Sequence, residues 1–161
     1  MKKLQTILLF LLAIAVAGCD AGNRDRIPTA AVRVEFASQA MWNQYGVSGS
    51  FIHRQFILSQ KIPAGFPYTL SSATGYAGLM LITNEHAVPF VYDLCCPVEI
   101  NSNIRIEFDE ENLCLRCPKC GSTYDISTGG PMSGPAKDGR YFLQVYHIAP
   151  YGTAGGQLIY R

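Results

Sequence analysis

The residues best able to do chemistry in this chain are its cysteines, and they fall into two groups. The first is Asp93-Leu94-Cys95-Cys96-Pro97-Val98-Glu99. The second is Cys114-Leu115-Arg116-Cys117-Pro118-Lys119-Cys120-Gly121-Ser122. Cys117 and Cys120 form a C-x-x-C knuckle. Two intervening residues let both sulfurs face one metal while backbone N–H groups turn back toward them. A second cysteine cluster about twenty residues upstream could supply further ligands. The design suits Zn²⁺ and an iron–sulfur cluster alike. Cys114, between Leu113 and Leu115, also reads as a small buried hydrophobe without chemistry.

The sixth cysteine, Cys19, stands apart. Met1-Lys2-Lys3 is basic, Leu4 to Ala17 is apolar except for Gln5 and Thr6, and Val16-Ala17-Gly18 precedes the cysteine. An apolar run this short is the core of a signal peptide rather than a membrane span. Small residues ending on a cysteine resemble the lipobox of bacterial lipoproteins. The resemblance implies that residues 1–18 are removed and that Cys19 carries lipid. The chain is then extracytoplasmic, on the periplasmic side or in the cell envelope, and held at a bacterial membrane through its N-terminal lipid. Disulfides are permitted there, yet the five remaining cysteines are an odd number. Loss of Lys2 and Lys3 also turns the net charge of +1 slightly negative.

The elements that must position these loops are strands. Residues 19–30 are polar, contain Pro28 and read as a flexible tether. From residue 31 the pattern has period two: Val32, Val34 and Phe36 alternate with Arg33 and Glu35. Met41 to Tyr45 reads as a helical turn, Gly49 to Gln60 as a strand, and Lys61 to Thr74 as a loop. Leu79 to Ile82 and Val88 to Leu94 flank Asn84-Glu85-His86 as a hairpin. Ile104 to Phe108, Leu113 to Arg116 and Ser122 to Ile126 follow as short strands. Ser127 to Lys137 is a Gly/Pro-rich loop, and Tyr141 to Ile148 with Gln157 to Tyr160 form a closing pair. Many short strands joined by Gly/Pro turns predict an all-β sandwich or barrel over residues 31–161.

Within that frame Cys117-Pro118-Lys119-Cys120-Gly121-Ser122-Thr123-Tyr124-Asp125, then Thr128-Gly129 and Gly134-Pro135-Ala136, resembles the Rieske-type iron–sulfur domains, best over residues 79–148. Members of that family carry Cys-Pro-x-His-Gly-Ser-x-Tyr/Phe-Asp, Thr-Gly and Gly-Pro-Ala, with a Cys-x-His box upstream. Here that box falls on Cys96-Pro97-Val98. The segment before it looks like small Rieske-like lipoproteins of bacteria. The resemblance implies a Rieske-like antiparallel β-sandwich or barrel with a smaller cluster-binding subdomain of two cysteine loops. It also implies a [2Fe–2S] cluster for one-electron transfer to a redox protein partner. Ser122 and Tyr124 match positions whose hydroxyls hydrogen-bond cluster sulfurs.

Two departures bear on the cofactor. Cys120 replaces the histidine of the second box, and Val98, which has no ligating atom, replaces that of the first. Cys96, Cys117 and Cys120 then supply three ligands, and a cluster needs four; Cys95 or Cys114 is the candidate for the fourth. An all-cysteine cluster would lie several hundred millivolts below a Rieske centre. The alternative that the resemblance leaves open is a cluster-free Rieske fold, stabilised by zinc or by a Cys96–Cys120 or Cys96–Cys117 disulfide bridging the two loops, that acts as a structural or interaction module.

Other function classes find little support. With a net charge of +1 and no Lys/Arg stripe, the chain does not read as a nucleic-acid binder. Gly152, Gly155 and Gly156 lack the strand–loop–helix setting of a phosphate loop. No Ser/His/Asp grouping is visible, so an electron carrier or binding module is favoured over a stand-alone enzyme.

Overall fold

A computed structural model describes residues 23–161. The leader of residues 1–18 and the candidate lipid site at Cys19 lie outside the described residues. The expected all-β architecture is the one observed. Its strands are β1 (Val32–Phe36), β2 (His53–Phe56), β3 (Ala73–Thr74), β4 (Leu79–Thr83), β5 (Pro89–Asp93), β6 (Glu107–Asp109), β7 (Cys114–Arg116), β8 (Thr123–Tyr124), β9 (Pro131–Ser133), β10 (Val145–Tyr151) and β11 (Gly156–Tyr160). Two short helices are added, α1 (Gln39–Tyr45) and α2 (Pro135–Gly139). Among the described residues, no helix is long and apolar enough to cross a membrane.

Seven strands form one antiparallel sheet in the order β2-β4-β5-β10-β11-β1-β3. Its two ends approach each other where the Leu58 N–H donates to Thr74 Oγ1 at 3.2 Å, so the sheet is nearly closed. The other four strands make a small sheet, β6-β7-β8-β9. This sheet carries the second cysteine loop between β7 and β8.

The pleat of β4 explains why its sequence is apolar throughout rather than alternating. Leu79 and Leu81 point into a core with Val34, Phe36, Phe56, Phe66 and Ile159. Met80 and Ile82 point the other way, into a core shared with the small sheet through Leu115, Tyr124, Ile126 and the cysteines. A strand buried on both faces gains nothing from polar residues on either. The first core is aromatic, with Phe36 packed edge-on against Trp42, Phe56 and Phe66. Trp42 is delivered by α1, whose N-terminus is capped by Ser38 Oγ accepting from the Met41 N–H.

Several boundaries differ from those expected. The strand expected over residues 49–60 shrinks to β2. Gly49 and Phe51 adopt positive φ before it, and a 3₁₀ turn over Leu58–Gln60 follows it. Residues 104–106 form an isolated antiparallel bridge, Arg105 to Cys95, rather than a strand, with the Ile106 N–H donating to Leu94 O at 2.8 Å. The Gly/Pro-rich stretch expected as a loop contains β9 and α2. The strand expected to begin at residue 141 begins at Val145, because Phe142 and Leu143 donate their N–H groups to Asn23 O and Gly129 O.

Part of the segment expected to be a flexible tether is held to the body. Asn23 bridges to Tyr141, Arg24 stacks over the Phe142 ring at 4.4 Å, and Arg26 over Tyr141 at 3.8 Å. Ile27 is buried in the core. One apolar side chain and two guanidinium–aromatic contacts oppose the entropy that a polar linker would otherwise keep.

Candidate metal centre

The first cysteine loop leaves β5 at Asp93, a fully buried carboxylate. Its oxygens accept from the N–H groups of Tyr76 (2.7 Å), Ala77 (3.1 Å) and Cys95 (2.8 Å) and from the Tyr146 hydroxyl (2.9 Å). Burial pushes the Asp93 carboxyl up from its ordinary range, against these four donors. The donors come from distant segments, so one side chain fixes where the loop begins. The loop then turns on itself, with the Ile100 N–H donating to Cys96 O at 2.9 Å.

The second loop is a tight turn between β7 and β8. The Cys117 N–H donates to Ser122 O at 2.9 Å and the Gly121 N–H to Cys117 O at 3.0 Å, with Gly121 at positive φ. Ser122 is fully buried, and its Oγ accepts from the Ala136 N–H at 3.1 Å, which binds α2 to the back of the loop. Gly134 has φ +69°, and a Cβ there would stand 3.0 Å from Ser122 Cα, so only glycine permits this approach. Asp125 Oδ1 accepts from the Ser127 and Thr128 N–H groups and from Thr128 Oγ1, which closes the turn that follows. The two loops are also tied at the surface, where Lys119 Nζ meets Glu99 Oε2 at 2.6 Å.

Between the loops three sulfurs converge. Those of Cys96, Cys117 and Cys120 all lie within 4.8 Å of one another. Cys96 Sγ and Cys120 Sγ are 3.7 Å apart. Cys96 and Cys117 are fully buried, and Cys120 is half-buried. The hydroxyls expected to face the sulfurs do so: Tyr124 Oη is 3.5 Å from Cys96 Sγ and Ser122 Oγ is 3.2 Å from Cys120 Sγ.

The thiols differ in acidity. Burial pushes Cys117 up to about 12, with the Cys96 sulfur beside it adding to the shift. Burial acts in the same direction on Cys120, but the hydroxyl and N–H of Ser122 and the neighbouring thiols outweigh it and hold Cys120 below the ordinary thiol value. Burial, reinforced by the adjacent thiols, raises Tyr124, which stays a protonated donor.

The two candidates for a fourth ligand lie outside the group. Cys95 forms an isolated bridge to Arg105, and its sulfur is not among the three that converge. Its thiol contacts Cys96 O at 3.5 Å, and burial beside Asp93 pushes it up to about 12. Cys114 lies in β7 opposite Asp109, and burial raises it too. All five described cysteines are free thiols. The histidines are elsewhere. His53 packs on Phe108, His86 sits in the β4–β5 turn beside Glu85, and His147 packs on Tyr160. Val98 packs against the apolar core.

This donor set can be weighed against the metals it could hold. Metal–sulfur bonds of about 2.3 Å place the corners of a tetrahedron about 3.8 Å apart, close to the Cys96–Cys120 separation. Ligands on opposite irons of a two-iron cluster stand further apart, because both irons and their bridging sulfides separate them. The three thiols therefore match the span of one ion, and a cluster's fourth ligand is missing among the described residues.

Sequence reasoning overlooked two parts of this site. Asp93 was visible as the end of Val91-Tyr92-Asp93, which resembles the Rieske family's approach to the upstream box, but nothing in the sequence marked it as the acceptor of four donors. The Glu99–Lys119 pair was visible only as opposite charges, one in each cysteine box.

No family model and no curated protein matches this sequence. Among solved structures, the ferredoxin of carbazole 1,9a-dioxygenase from Nocardioides aromaticivorans IC177 is similar. It is 15% identical over 80% of this chain and 96% of that chain, with a TM-score of 0.42.

Proposed function

We propose that this chain is a lipid-anchored metal–thiolate protein that carries single electrons at iron held by Cys96, Cys117 and Cys120. The observation that supports this most directly is the convergence of those three sulfurs from two separate loops. Iron, when bound, supplies a one-electron couple. The protein's own groups prepare the seat. Ser122 and Tyr124 place hydroxyls against sulfurs, where as donors they would offset the negative charge of metal-bound thiolates. Asp93 and the Glu99–Lys119 pair hold the loops in register. Cys120 is the exposed edge of the group, the side from which a redox protein would exchange electrons. Lipid on Cys19 would keep the domain at a membrane surface on the extracytoplasmic side.

The test is anaerobic purification of the full chain in detergent, with iron analysis, visible spectroscopy and reductive titration. A coloured, iron-containing, reversibly reducible protein is expected. The colour should be lost in Cys96→Ser, Cys117→Ser and Cys120→Ser, and Cys19→Ser should abolish detergent-phase partition. Colourless, metal-free protein after anaerobic reconstitution overturns the reading.

The 3.7 Å approach of Cys96 and Cys120 favours a second reading. In it zinc, or a Cys96–Cys120 disulfide formed in an oxidising compartment, clamps the loops, and the chain is a structural or interaction module. Zinc in the purified protein, or two thiols protected from alkylation after denaturation, would select it.

A further inference from the structure

We infer that Cys96, Cys117 and Cys120 seat a single ion rather than a two-iron cluster, with the fourth coordination position open to a small exogenous donor such as water or a low-molecular-weight thiol. This rests on the metal–thiolate reading above and specifies how many ions the site holds and what completes it.

Three observations carry it. All three sulfurs lie within 4.8 Å of one another, and Cys96 and Cys120 are 3.7 Å apart, the spacing of two ligands on one tetrahedral ion. Nothing among the described residues fills the fourth corner. Cys95 and Cys114 lie outside the group, and Val98, at the upstream box, has no ligating atom. The two hydroxyls nearby each sit beside one sulfur, and Ser122 Oγ already accepts the Ala136 N–H. Finally, access is one-sided. Cys96 and Cys117 are closed off completely, whereas Cys120 reaches the surface next to Lys119, whose side chain is 62% exposed. Three protein ligands plus one exchangeable position is the arrangement that lets a metal take up a further ligand, whereas four protein ligands close it.

The experiment uses the full chain in detergent, reduced and metal-free, titrated anaerobically with Co²⁺. The expected result is saturation at one ion per chain with strong thiolate-to-metal absorption. Added mercaptoethanol or imidazole should shift the ligand-field bands. Cys95→Ser and Cys114→Ser should leave stoichiometry and spectrum unchanged. Val98→Cys, which offers a fourth thiolate, should strengthen the charge-transfer absorption by about one third and remove the response to added donors. The response of the unmodified chain stands as the test should that variant misfold. Two irons with acid-labile sulfide after reconstitution, or a spectrum indifferent to added donors, overturns the inference and leaves the metal–thiolate reading intact. Failure to bind any metal overturns that reading and this inference with it.

Discussion

The Tyr124 hydroxyl lies 3.5 Å from the Cys96 sulfur, and both groups are fully buried. The contact joins the small sheet to the loop that leaves the large one. Removing the hydroxyl as Tyr124→Phe conserves the ring and its packing. The cost to folding should be small, about 1 kcal/mol, as for one modest hydrogen bond. The metal should feel it more, because groups bonded to ligand atoms set affinity as well as orientation. About tenfold weaker Co²⁺ binding is expected, measured by competition with a chromophoric chelator. Unchanged affinity would show that the hydroxyl only fills space.

Asp93 is a stronger constraint, since it gathers four donors at one buried carboxylate. In Asp93→Asn one oxygen becomes an NH₂ group facing N–H donors, and at least one of them loses its acceptor. Leaving such a group buried costs about 1–3 kcal/mol, and more where a charge-assisted bond is lost. We expect a loss of about 3 kcal/mol in urea denaturation, within that range and its extension. Metal affinity should fall as well, because the amide NH₂ is best placed toward the Tyr146 hydroxyl, which leaves the Tyr76 N–H without its acceptor and loosens the anchor at the start of the loop. A stable variant with weakened metal binding would assign Asp93 to loop positioning alone.

How far these relationships could be read beforehand depends on their range in sequence. The alternation from Val32 to Phe36 needs only five residues to show one buried face, and it became β1 as read. The C-x-x-C knuckle is similarly local, whereas Cys96 lies about twenty residues upstream and its place beside the knuckle was legible through the resemblance alone. Asp93 was not, because its partners lie at residues 76, 77, 95 and 146 and only folding brings them together. β9 and α2 were hidden for a different reason. They are three and five residues long and bounded by glycine and proline, which mark turns in any sequence. Pro135 at the first turn of α2 is a position where its fixed φ helps, yet it reads equally well as a breaker. Docking of residues 23–27 was obscured by their polarity, since arginine stacking on aromatic rings leaves no periodic trace.

The thiols of the reduced, metal-free protein should react in a fixed order. Cys120 is half-buried and held below the ordinary thiol value, so it carries more thiolate at neutral pH and should be alkylated first. Cys117 and Cys95, pushed up to about 12 by burial, should resist until the protein unfolds. Ser122→Ala removes a hydroxyl from beside Cys120 and should slow its alkylation severalfold at pH 7 while leaving the others protected. Mass spectrometry of iodoacetamide-treated peptides at timed intervals gives the order. Labelling of Cys95 ahead of Cys120 would contradict it.

Tyr68 gives the molecule a pH dependence away from the metal site. Its hydroxyl donates to Ile62 O, and burial pushes its pKa up to about 12 from 10.0. The folded state therefore keeps the phenol protonated over a range where the unfolded chain releases the proton. A folded-state pKa above the unfolded one gives stability that is fully present below pH 10 and is lost as pH rises toward 12. Tyr68→Phe lacks both the hydrogen bond and the titration. At pH 8 it should be less stable than the parent by about 1 kcal/mol, the worth of one hydrogen bond. The difference should shrink and then change sign between pH 10 and 12, because only the parent loses stability from this group there and a pKa raised by this much outweighs one hydrogen bond. Other buried tyrosines titrate in both proteins and cancel in the comparison. Urea midpoints measured for the pair at half-unit pH steps would show the crossing, and a constant gap across that window would refute the assignment.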